Sequence, residues 1–302
     1  MEAQPHPQQP HFQPKTSGLA IASLVCGILG LICIPILPAF LGLIFGIIAI
    51  RKINSSGGGV GGKGLAVGGL ITSVIGVIIL PAILALILLP ELGKAKAKAN
   101  RIKCVNNLKN INMAHMAFAQ DNGERYPWQL SGLQIQNHFG SNPGLAQTAG
   151  GVFGLTAMKR ELQTPKILIS PCDSGRMADN EMLQMGWNSY DTKAGNPVPS
   201  GGISYVLCEG AQTMRPSTIL AATRNLSSDD LATARWLGAD SDGGHPNVIA
   251  GLNGGEGQMT MADGSSRQSG DFDIGSGGGV VDGHSRSTGG LTKGPASTRI
   301  FR

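Results

Sequence analysis

Two long uncharged runs dominate the first third of the chain. No Asp, Glu, Lys or Arg occurs between Lys15 and Arg51, and none occurs between Lys63 and Glu91. A transmembrane helix needs roughly 20 apolar residues, whereas apolar stretches of about 10–14 residues are more typical of buried core helices. Both runs are therefore long enough to cross a bilayer, and we expect two transmembrane helices.

The first run contains two prolines, Pro35 and Pro38, which interrupt a regular helix. Either one tilted, kinked helix spans the membrane, or two half-helices form a hairpin within it; we favour the single span. A secretory signal peptide fits less well, because the run is too long and lacks a basic segment before it.

A different pattern follows the second run. Apolar residues recur at steps of three or four and form a stripe along one helix face: Ile102, Val105, Leu108, Ile111, Ala114 and Phe118. The Asp-Asn-Gly sequence at 121–123 is a typical helix stop. The pattern predicts one long helix over 65–122, apolar all round at first and amphipathic later, with kinks at Pro81 and Pro90.

Short β-prone segments bounded by turn residues occupy the rest of the chain, at 166–170, 203–207, 218–222 and 258–262. They predict a small antiparallel sheet, with Asp263-Gly264 as a tight turn between strands. The fold class is therefore α+β, with two N-terminal transmembrane helices, the second continuing into a helix that packs on the sheet. The predicted divisions are a disordered tail (1–17), the first span and a glycine-rich loop (18–64), the long helix (65–122), a globular domain (123–274) and a flexible Gly/Ser-rich tail (275–302).

The charge distribution locates the basic surface. The formal net charge of the chain is +5. From Cys104 onward, however, there are 15 Lys and Arg residues and 17 Asp and Glu residues, so this part is slightly acidic. The excess lies just after the second apolar run, in Lys94, Lys96, Lys98, Arg101 and Lys103. Nucleic-acid binding needs a basic patch on a domain face, so we expect no nucleic acid. A basic segment beside an apolar helix suits anionic lipid head groups.

The stretch LLPELGKAKAKANRIKCVNNLKNINMAHMAFAQDNGERYPW resembles the first helix of bacterial type IV pilin-like proteins, especially the pseudopilins of type II secretion. The later segments PCDSGR, ISYVL, STILAATRNL and GGEGQMTMADGSSRQ are similar to a pseudopilin-like group with a late Ala-Asp-Gly-Ser turn. The resemblance implies a membrane-crossing half-helix, an amphipathic half lying on a small sheet, and a structural role at the cell envelope, with other pilin-like or envelope proteins as partners.

The chain departs from that family at its processing site. The family has Glu at the fifth mature position, whereas Gly69 is followed here by Leu-Ile-Thr-Ser-Val, with Val74 in the place of Glu. We therefore expect the protein to keep its N-terminus. The two apolar runs, each opening Gly-Leu-Ala around a basic glycine loop, also resemble a two-helix membrane module of unknown function found in bacterial proteins.

The charges and the resemblance together predict the orientation. Arg51, Lys52 and Lys63 in the loop outweigh Lys15 before it, which favours a cytoplasmic loop and both termini outside. The five basic residues after the second run favour the opposite orientation. We follow the loop, because the domain is extracytoplasmic in the pilin-like family, and expect a location in the cytoplasmic (inner) membrane.

Cysteines and charged clusters give little support for chemistry. Among Cys104, Cys172 and Cys208, we expect one disulfide between the last two, because both flank predicted strands, with Cys104 left over. No CxxC motif supports zinc or redox chemistry. The best acidic cluster is Asp240, Asp242, Asp271 and Asp273; the resemblance suggests calcium there, but the spacing matches no EF-hand.

No catalytic, cofactor-binding or metal-binding residue is predicted. The histidines after the long apolar runs, His115, His138, His245 and His284, accompany no Gly-x-Ser-x-Gly elbow. The first hypothesis is a membrane-anchored, non-enzymatic pseudopilin-like envelope protein with a structural or protein-contact role. The alternative is a membrane-anchored extracytoplasmic ligand-binding or sensory module that does not polymerise.

Overall fold

The computed structural model describes residues 15–32, 36–57, 60–178, 187–241, 244–287 and 297–302. The chain forms two compact units, Met1–Lys94 and Ala95–Arg302, called here the N-terminal and C-terminal units. The first is helical, and the second combines helices with an antiparallel sheet. The α+β class predicted from the sequence is therefore confirmed.

The N-terminal unit brings the first uncharged run and the start of the second together. Its elements are β1 (Lys15–Thr16), α1 (Gly18–Ile32), α2 (Ile36–Ser55), β2 (Val60–Gly61) and the beginning of α3 (Lys63–Asp121). β1 pairs in parallel with β2, which places the start of α1 beside the start of α3. Residues 15–16 therefore form a strand where we expected the end of a disordered tail; the rest of that tail lies outside the described residues.

The first uncharged run is two helices and not the single span that we favoured. Ser23 Oγ on α1 donates a hydrogen bond to the carbonyl oxygen of Gly42 on α2, at 2.9 Å. Ala20 at the start of α1 packs with Ala49 near the end of α2, so the two helices form an antiparallel hairpin. Among the described helices, only α3 is long and apolar enough to cross a membrane alone. The expectation of two separate spanning helices is therefore wrong.

Small residues form the contacts among the three helices. A Cβ at Gly69 of α3 would lie 2.7 Å from the backbone nitrogen of Leu24 on α1, so only glycine permits this approach. Later residues of α1 contact later residues of α3, so these two helices run parallel. Later residues of α1 contact earlier residues of α2, so α2 runs antiparallel to both. Close backbone approach through small residues is typical of helix packing in membranes. The buried small residues of the three helices are Ala20, Ser23, Gly27, Gly42, Gly46, Ala49, Ala66, Gly69, Ser73 and Gly76.

α3 is one helix of 59 residues, about 90 Å long at 1.5 Å per residue. It begins two residues before the predicted start and ends one residue before the predicted end. The helix continues through Pro81 and Pro90, the two positions of the expected kinks. Gly123 has φ +69°, the left-handed conformation expected just after a helix end.

The described part of the C-terminal unit consists of the second part of α3, five short α-helices, several 3₁₀ turns and a sheet. Within the described residues, the sheet has the order β6-β5-β4-β3-β7, and all neighbouring strands are antiparallel. The helices are α4 (Leu133–Phe139), α5 (Ala149–Phe153), α6 (Thr156–Leu162), α7 (Ser174–Ala178) and α8 (Gly279–Ser287). The strands are β3 (Tyr205–Cys208), β4 (Ile219–Thr223), β5 (Glu256–Met261), β6 (Ser266–Gly270) and β7 (Ile300–Phe301).

The amphipathic half of α3 packs on this sheet, as predicted. Leu108 and Ile111 are fully buried and share a core with Tyr205 of β3. Asn112 Nδ2 donates a hydrogen bond to Thr260 Oγ1 on β5, at 3.0 Å. The buried stripe is rotated from the predicted one, because Ile102 is 49% exposed whereas Cys104, His115 and Ala119 are buried.

The strand predictions are confirmed at three of four places. Segments 203–207, 218–222 and 258–262 overlap β3, β4 and β5. The fourth, 166–170, is wrong: Pro165–Leu168 is a 3₁₀ turn that Pro165 begins and Thr164 caps through the backbone N–H of Lys166. Residues 275–302, expected to be a flexible tail, include α8 and β7; 288–296 lie outside the described residues.

An aromatic cluster surrounds the buried His115 of α3. Its ring centroid lies 5.7 Å from that of Trp128 and 5.9 Å from that of Phe153. The ring nitrogen Nδ1 lies 2.7 Å from the carbonyl oxygen of Ile111 and donates to it. Burial lowers the pKa of His115 to about 4, so the folded unit holds this imidazole neutral.

Acidification from pH 7 to pH 5 should therefore destabilise the C-terminal unit by about 2 kcal/mol through His115 alone. Its folded pKa lies below the ordinary value of 6.5, so the unfolded chain binds more protons over this range. The stabilising contribution is complete above pH 6.5 and is lost as the pH falls toward 4. Thermal unfolding of the full chain in detergent, followed by tryptophan fluorescence at both pH values, measures the loss.

The variant His115→Gln should show a smaller pH dependence of Tm than the wild type. His138, which is only partly buried, provides the matched control His138→Gln. An equal drop in Tm for the wild type and His115→Gln would show that His115 does not carry the effect. All three tryptophans, Trp128, Trp187 and Trp236, lie in the C-terminal unit, so their fluorescence reports on that unit.

Candidate functional site

The first part of α3 exposes large apolar side chains along most of its described length. Leu86 is 74% exposed and Leu92 is 68% exposed. Burial of such side chains contributes roughly 1.5–3 kcal/mol each, so leaving a row of them in water is unfavourable. The exposed large apolar residues of this part are Leu65, Val67, Ile71, Val74, Ile75, Ile78, Ile83, Leu84, Leu86, Ile87, Leu88, Leu89 and Leu92.

Across the described residues of the N-terminal unit, most large apolar side chains are exposed, whereas small residues are buried. On α1 and α2 the exposed large residues are Ile21, Val25, Ile28, Leu29, Phe40, Leu41, Ile44, Ile47 and Ile48. A water-soluble unit buries most such side chains, and exposed apolar patches larger than a few hundred Å² are rare on soluble proteins. This distribution suits a hydrocarbon environment, where small residues mediate helix contacts.

Basic residues gather at one end of the N-terminal unit. The pairing of Lys15 with Val60 brings the start of α1 to the loop before α3. Arg51 and Lys52 in the last part of α2, and Lys63 at the first position of α3, lie at this same end. The opposite end has no described charged residue until Glu91, which pairs with Lys94 at 2.9 Å on the helix surface.

A groove of about 370 Å³ lies beside α3 in the C-terminal unit. Ile167, Ile169 and Pro171 provide apolar lining, and Lys103 and Lys166 provide two positive charges. Asn107 on α3 closes one side, where its Nδ2 donates to the carbonyl oxygen of Ile169 at 3.2 Å. The groove therefore combines apolar surface with cationic groups.

Two cysteine thiols meet where α3 packs against the segment after the Pro165–Leu168 turn. Cys104 Sγ lies 3.6 Å from Cys172 Sγ and 2.8 Å from Ser170 Oγ. Cys208, which we expected to pair with Cys172, is buried elsewhere, with its Sγ 3.9 Å from His284 Nε2. The structure thus brings together Cys104 and Cys172, and the expected Cys172–Cys208 pairing is wrong.

A buried ion pair lies next to this thiol pair. Asp173 accepts two hydrogen bonds from Arg224, at 2.7 Å from Nε and 2.8 Å from Nη2. Ser204 Oγ donates to the same carboxylate at 2.8 Å. Burial and the nearby Arg224 guanidinium lower the pKa of Arg176 to about 10. Arg224 also donates from Nη1 to the carbonyl oxygen of Pro246 and from Nη2 to that of Val248, so this network connects several loops.

The acidic residues considered for calcium have other partners. Asp271 Oδ1 accepts the backbone N–H of Trp236 at 2.8 Å, and Asp240 Oδ1 accepts that of Gly254. Asp273 pairs with Arg267 at 3.0 Å, and Asp242 lies outside the described residues. Across the part of the chain that the structure describes, no group of three His, Cys, Asp or Glu could hold a metal ion.

The histidines are also separate from one another. His284 on α8 is buried, accepts the backbone N–H of Ile219 at its Nδ1 (2.9 Å) and donates from Nε2 to the carbonyl oxygen of Ser297. Burial lowers the pKa of His284. His138 Nε2 lies 3.0 Å from Asn122 Oδ1, and His245 Nδ1 accepts a nearby backbone N–H. These contacts are structural.

Residues 19–88 match a known protein family described as Domain of unknown function (DUF4190). The match spans parts of α1 and α3 and all of α2, well under half of the 302 residues. It coincides with the unit that has its large apolar side chains outside. No curated protein and no solved structure matches the chain.

Proposed function

We propose that this chain is a membrane-anchored, non-enzymatic, pseudopilin-like protein of the cell envelope, with a structural or protein-contact role. The observation that carries the proposal is the uncovered apolar surface of α3, which continues in the same helix into the stripe that packs on the sheet. The apolar part, from Gly64 to Pro90, would be about 40 Å long, enough for the roughly 30 Å of hydrocarbon.

We propose that the end with Lys15, Arg51, Lys52 and Lys63 faces the cytoplasm, because basic residues are retained there. α3 then emerges on the other side, and the C-terminal unit lies outside. The hairpin of α1 and α2 changes the expectation for the N-terminus. With α1 and α3 parallel, Lys15 shares the cytoplasmic side, whereas the sequence led us to expect both termini outside.

Processing as a pilin subunit is disfavoured by the packing of the N-terminal unit. The position where a prepilin peptidase would cut follows Gly69, which is buried against α1. Val74 also replaces the Glu expected in the pilin family. We propose that the protein keeps α1 and α2; a mature species starting at Leu70 in mass spectra from native membranes would instead indicate a pilin subunit.

Replacing Ile71 and Ile78 together by arginine tests the anchor. Both side chains are more than half exposed, at 54% and 64%, and an arginine at the centre of a spanning helix costs about 2.5–3.5 kcal/mol on insertion scales. The wild type should stay in the membrane pellet after alkaline washing, and the double variant should be depleted from it. Leu133→Arg, on the exposed surface of the C-terminal unit (76% exposed), is the control and should remain membrane-bound. Release of the wild type by the wash would refute the anchor.

The groove beside α3 favours the second candidate function, a ligand-binding module. Its two lysines and apolar lining suit a small anion with an apolar part, such as a medium-chain carboxylate. Octanoate should raise the Tm of the C-terminal unit, whereas octanol should not. The double variant Lys103→Gln, Lys166→Gln should lose the octanoate effect, while Lys109→Gln, an exposed change outside the groove, should retain it. No response to octanoate would remove this candidate.

A further inference from the structure

The thiols of Cys104 and Cys172 are held together by the fold and not by chance proximity on a surface. Cys104 is 0% and Cys172 is 2% exposed, and both pack with Ile249 and Leu252. The carbonyl oxygen of Cys172 accepts the backbone N–H of Gly251 at 3.0 Å, and Ser170 Oγ accepts the backbone N–H of Cys172 at 3.1 Å. The loop that carries Cys172 is therefore fixed from two sides.

The separation of the two sulfur atoms permits a covalent bond. They lie 3.6 Å apart, and a disulfide needs about 2.05 Å, so the two sulfur atoms must approach each other by about 1.5 Å. Hydrogen bonds from Cys172 and Ser170 lower the pKa of Cys104 to about 7. A thiolate is the nucleophile in thiol–disulfide exchange, and before the helix is packed either cysteine can supply it.

We propose that Cys104 and Cys172 form a disulfide that ties α3 to the globular core. The thiolate of one cysteine attacks a disulfide oxidant, either a small molecule or a protein, and releases one oxidant thiol. The thiolate of the other cysteine then attacks the mixed disulfide and releases the second thiol. The two cysteines together lose two protons and two electrons, and the oxidant disulfide is reduced to two thiols.

Because both sulfurs are buried in the folded unit, an oxidant cannot reach them there. The reaction therefore occurs during folding, before the amphipathic half of α3 is fully packed. The place where the oxidant is met rests on the proposed extracytoplasmic location, because disulfides form and persist in oxidising compartments. The bond would close a loop between positions that are 68 residues apart. Such a cross-link lowers the conformational entropy of the unfolded chain and thereby stabilises the folded unit.

The test uses the purified full chain in detergent and does not depend on where the protein resides in a cell. The chain is unfolded in urea with reductant and refolded in a mixture of oxidised and reduced glutathione, and remaining thiols are then alkylated. Peptide mass spectrometry should find a Cys104–Cys172 linkage in most molecules. Reduction should then lower the Tm of the C-terminal unit by on the order of 10 °C.

Two single variants distinguish this pair from other pairings. Cys208→Ser should keep the linkage and the response to reductant, whereas Cys172→Ser should lose both. The linkage is read from peptides, so the result stands even where a variant is less stable. A predominant linkage that includes Cys208, or free Cys104 and Cys172 in refolded wild type, would overturn the proposal. A protease test on spheroplasts addresses the location separately, so the failure of one does not decide the other.

Discussion

Replacing Asp173 by alanine should lower the free energy of unfolding of the C-terminal unit by about 3–5 kcal/mol. The Arg224 side chain is only 8% exposed, and its shortest ion pair with Asp173 is 2.7 Å long. Removal of the carboxylate leaves this guanidinium buried without a counter-charge and also removes the acceptor of the Ser204 hydroxyl. Loss of one partner of a buried pair is costly for this reason, even where the intact pair adds little net stability.

The expected decrease in Tm is roughly 6–20 °C, since 1 kcal/mol corresponds to about 2–4 °C for a unit of this size. Tryptophan fluorescence of the full chain in detergent measures it. The matched control is Asp121→Ala, because Asp121 is 72% exposed and lies 3.9 Å from Arg160; exposed pairs contribute at most about 1 kcal/mol. Equal Tm values for the two variants would show that the Asp173–Arg224 pair does not hold the loops.

Replacing Leu108 by alanine should destabilise the same unit by about 2–5 kcal/mol, from lost burial and from the cavity that remains. Leu108 is fully buried in the core formed by α3, β3 and the short helices. Its neighbour Lys109 points into solvent, so Lys109→Ala should change stability by less than about 0.5 kcal/mol. Asn110 is a poorer control, because it is partly buried.

The comparison of Leu108→Ala with Lys109→Ala tests the helix–sheet packing directly. Thermal unfolding should separate the two variants by several degrees. Similar Tm values would mean that this part of α3 does not support the globular core. α3 would then be a free helix after its apolar part, and the proposal of a pseudopilin-like architecture would lose its main support.

The periodicity of apolar residues along the sequence predicted the larger elements of the fold. The stripe around Leu108 and Ile111 and the Asp-Asn-Gly stop define most of α3, because helix amphipathicity and helix ends are local properties. The predicted stripe differs slightly from the buried face of the helix. Cys104 and His115 are buried on that face, but a search for recurring aliphatic residues does not identify a cysteine or a histidine.

The elements that were missed, or that were the less favoured alternative, depend on contacts between distant residues. β7 has two residues and exists through its pairing with Leu207 and Cys208 of β3. The hairpin of α1 and α2 depends on small residues such as Ser23 and Gly42, which periodicity of large apolar residues does not detect. The segment 166–170 has strand-like composition, but Pro165 and the Thr164 cap favour a 3₁₀ turn.

The candidate sites were the least predictable part. The proximity of Cys104 and Cys172 and the pairing of Asp173 with Arg224 join residues that are 68 and 51 positions apart. No spacing rule identifies such pairs without the tertiary fold. The exposed apolar surface of α3, in contrast, follows directly from the uncharged run before Glu91.

Addition of protease to intact spheroplasts of the native host tests the central claim most directly. We expect digestion of the C-terminal unit and survival of a membrane-protected fragment that contains α1, α2 and the apolar part of α3. Antibodies against each unit distinguish the two products. Protection of the C-terminal unit in intact spheroplasts, with digestion only after lysis, would contradict the account.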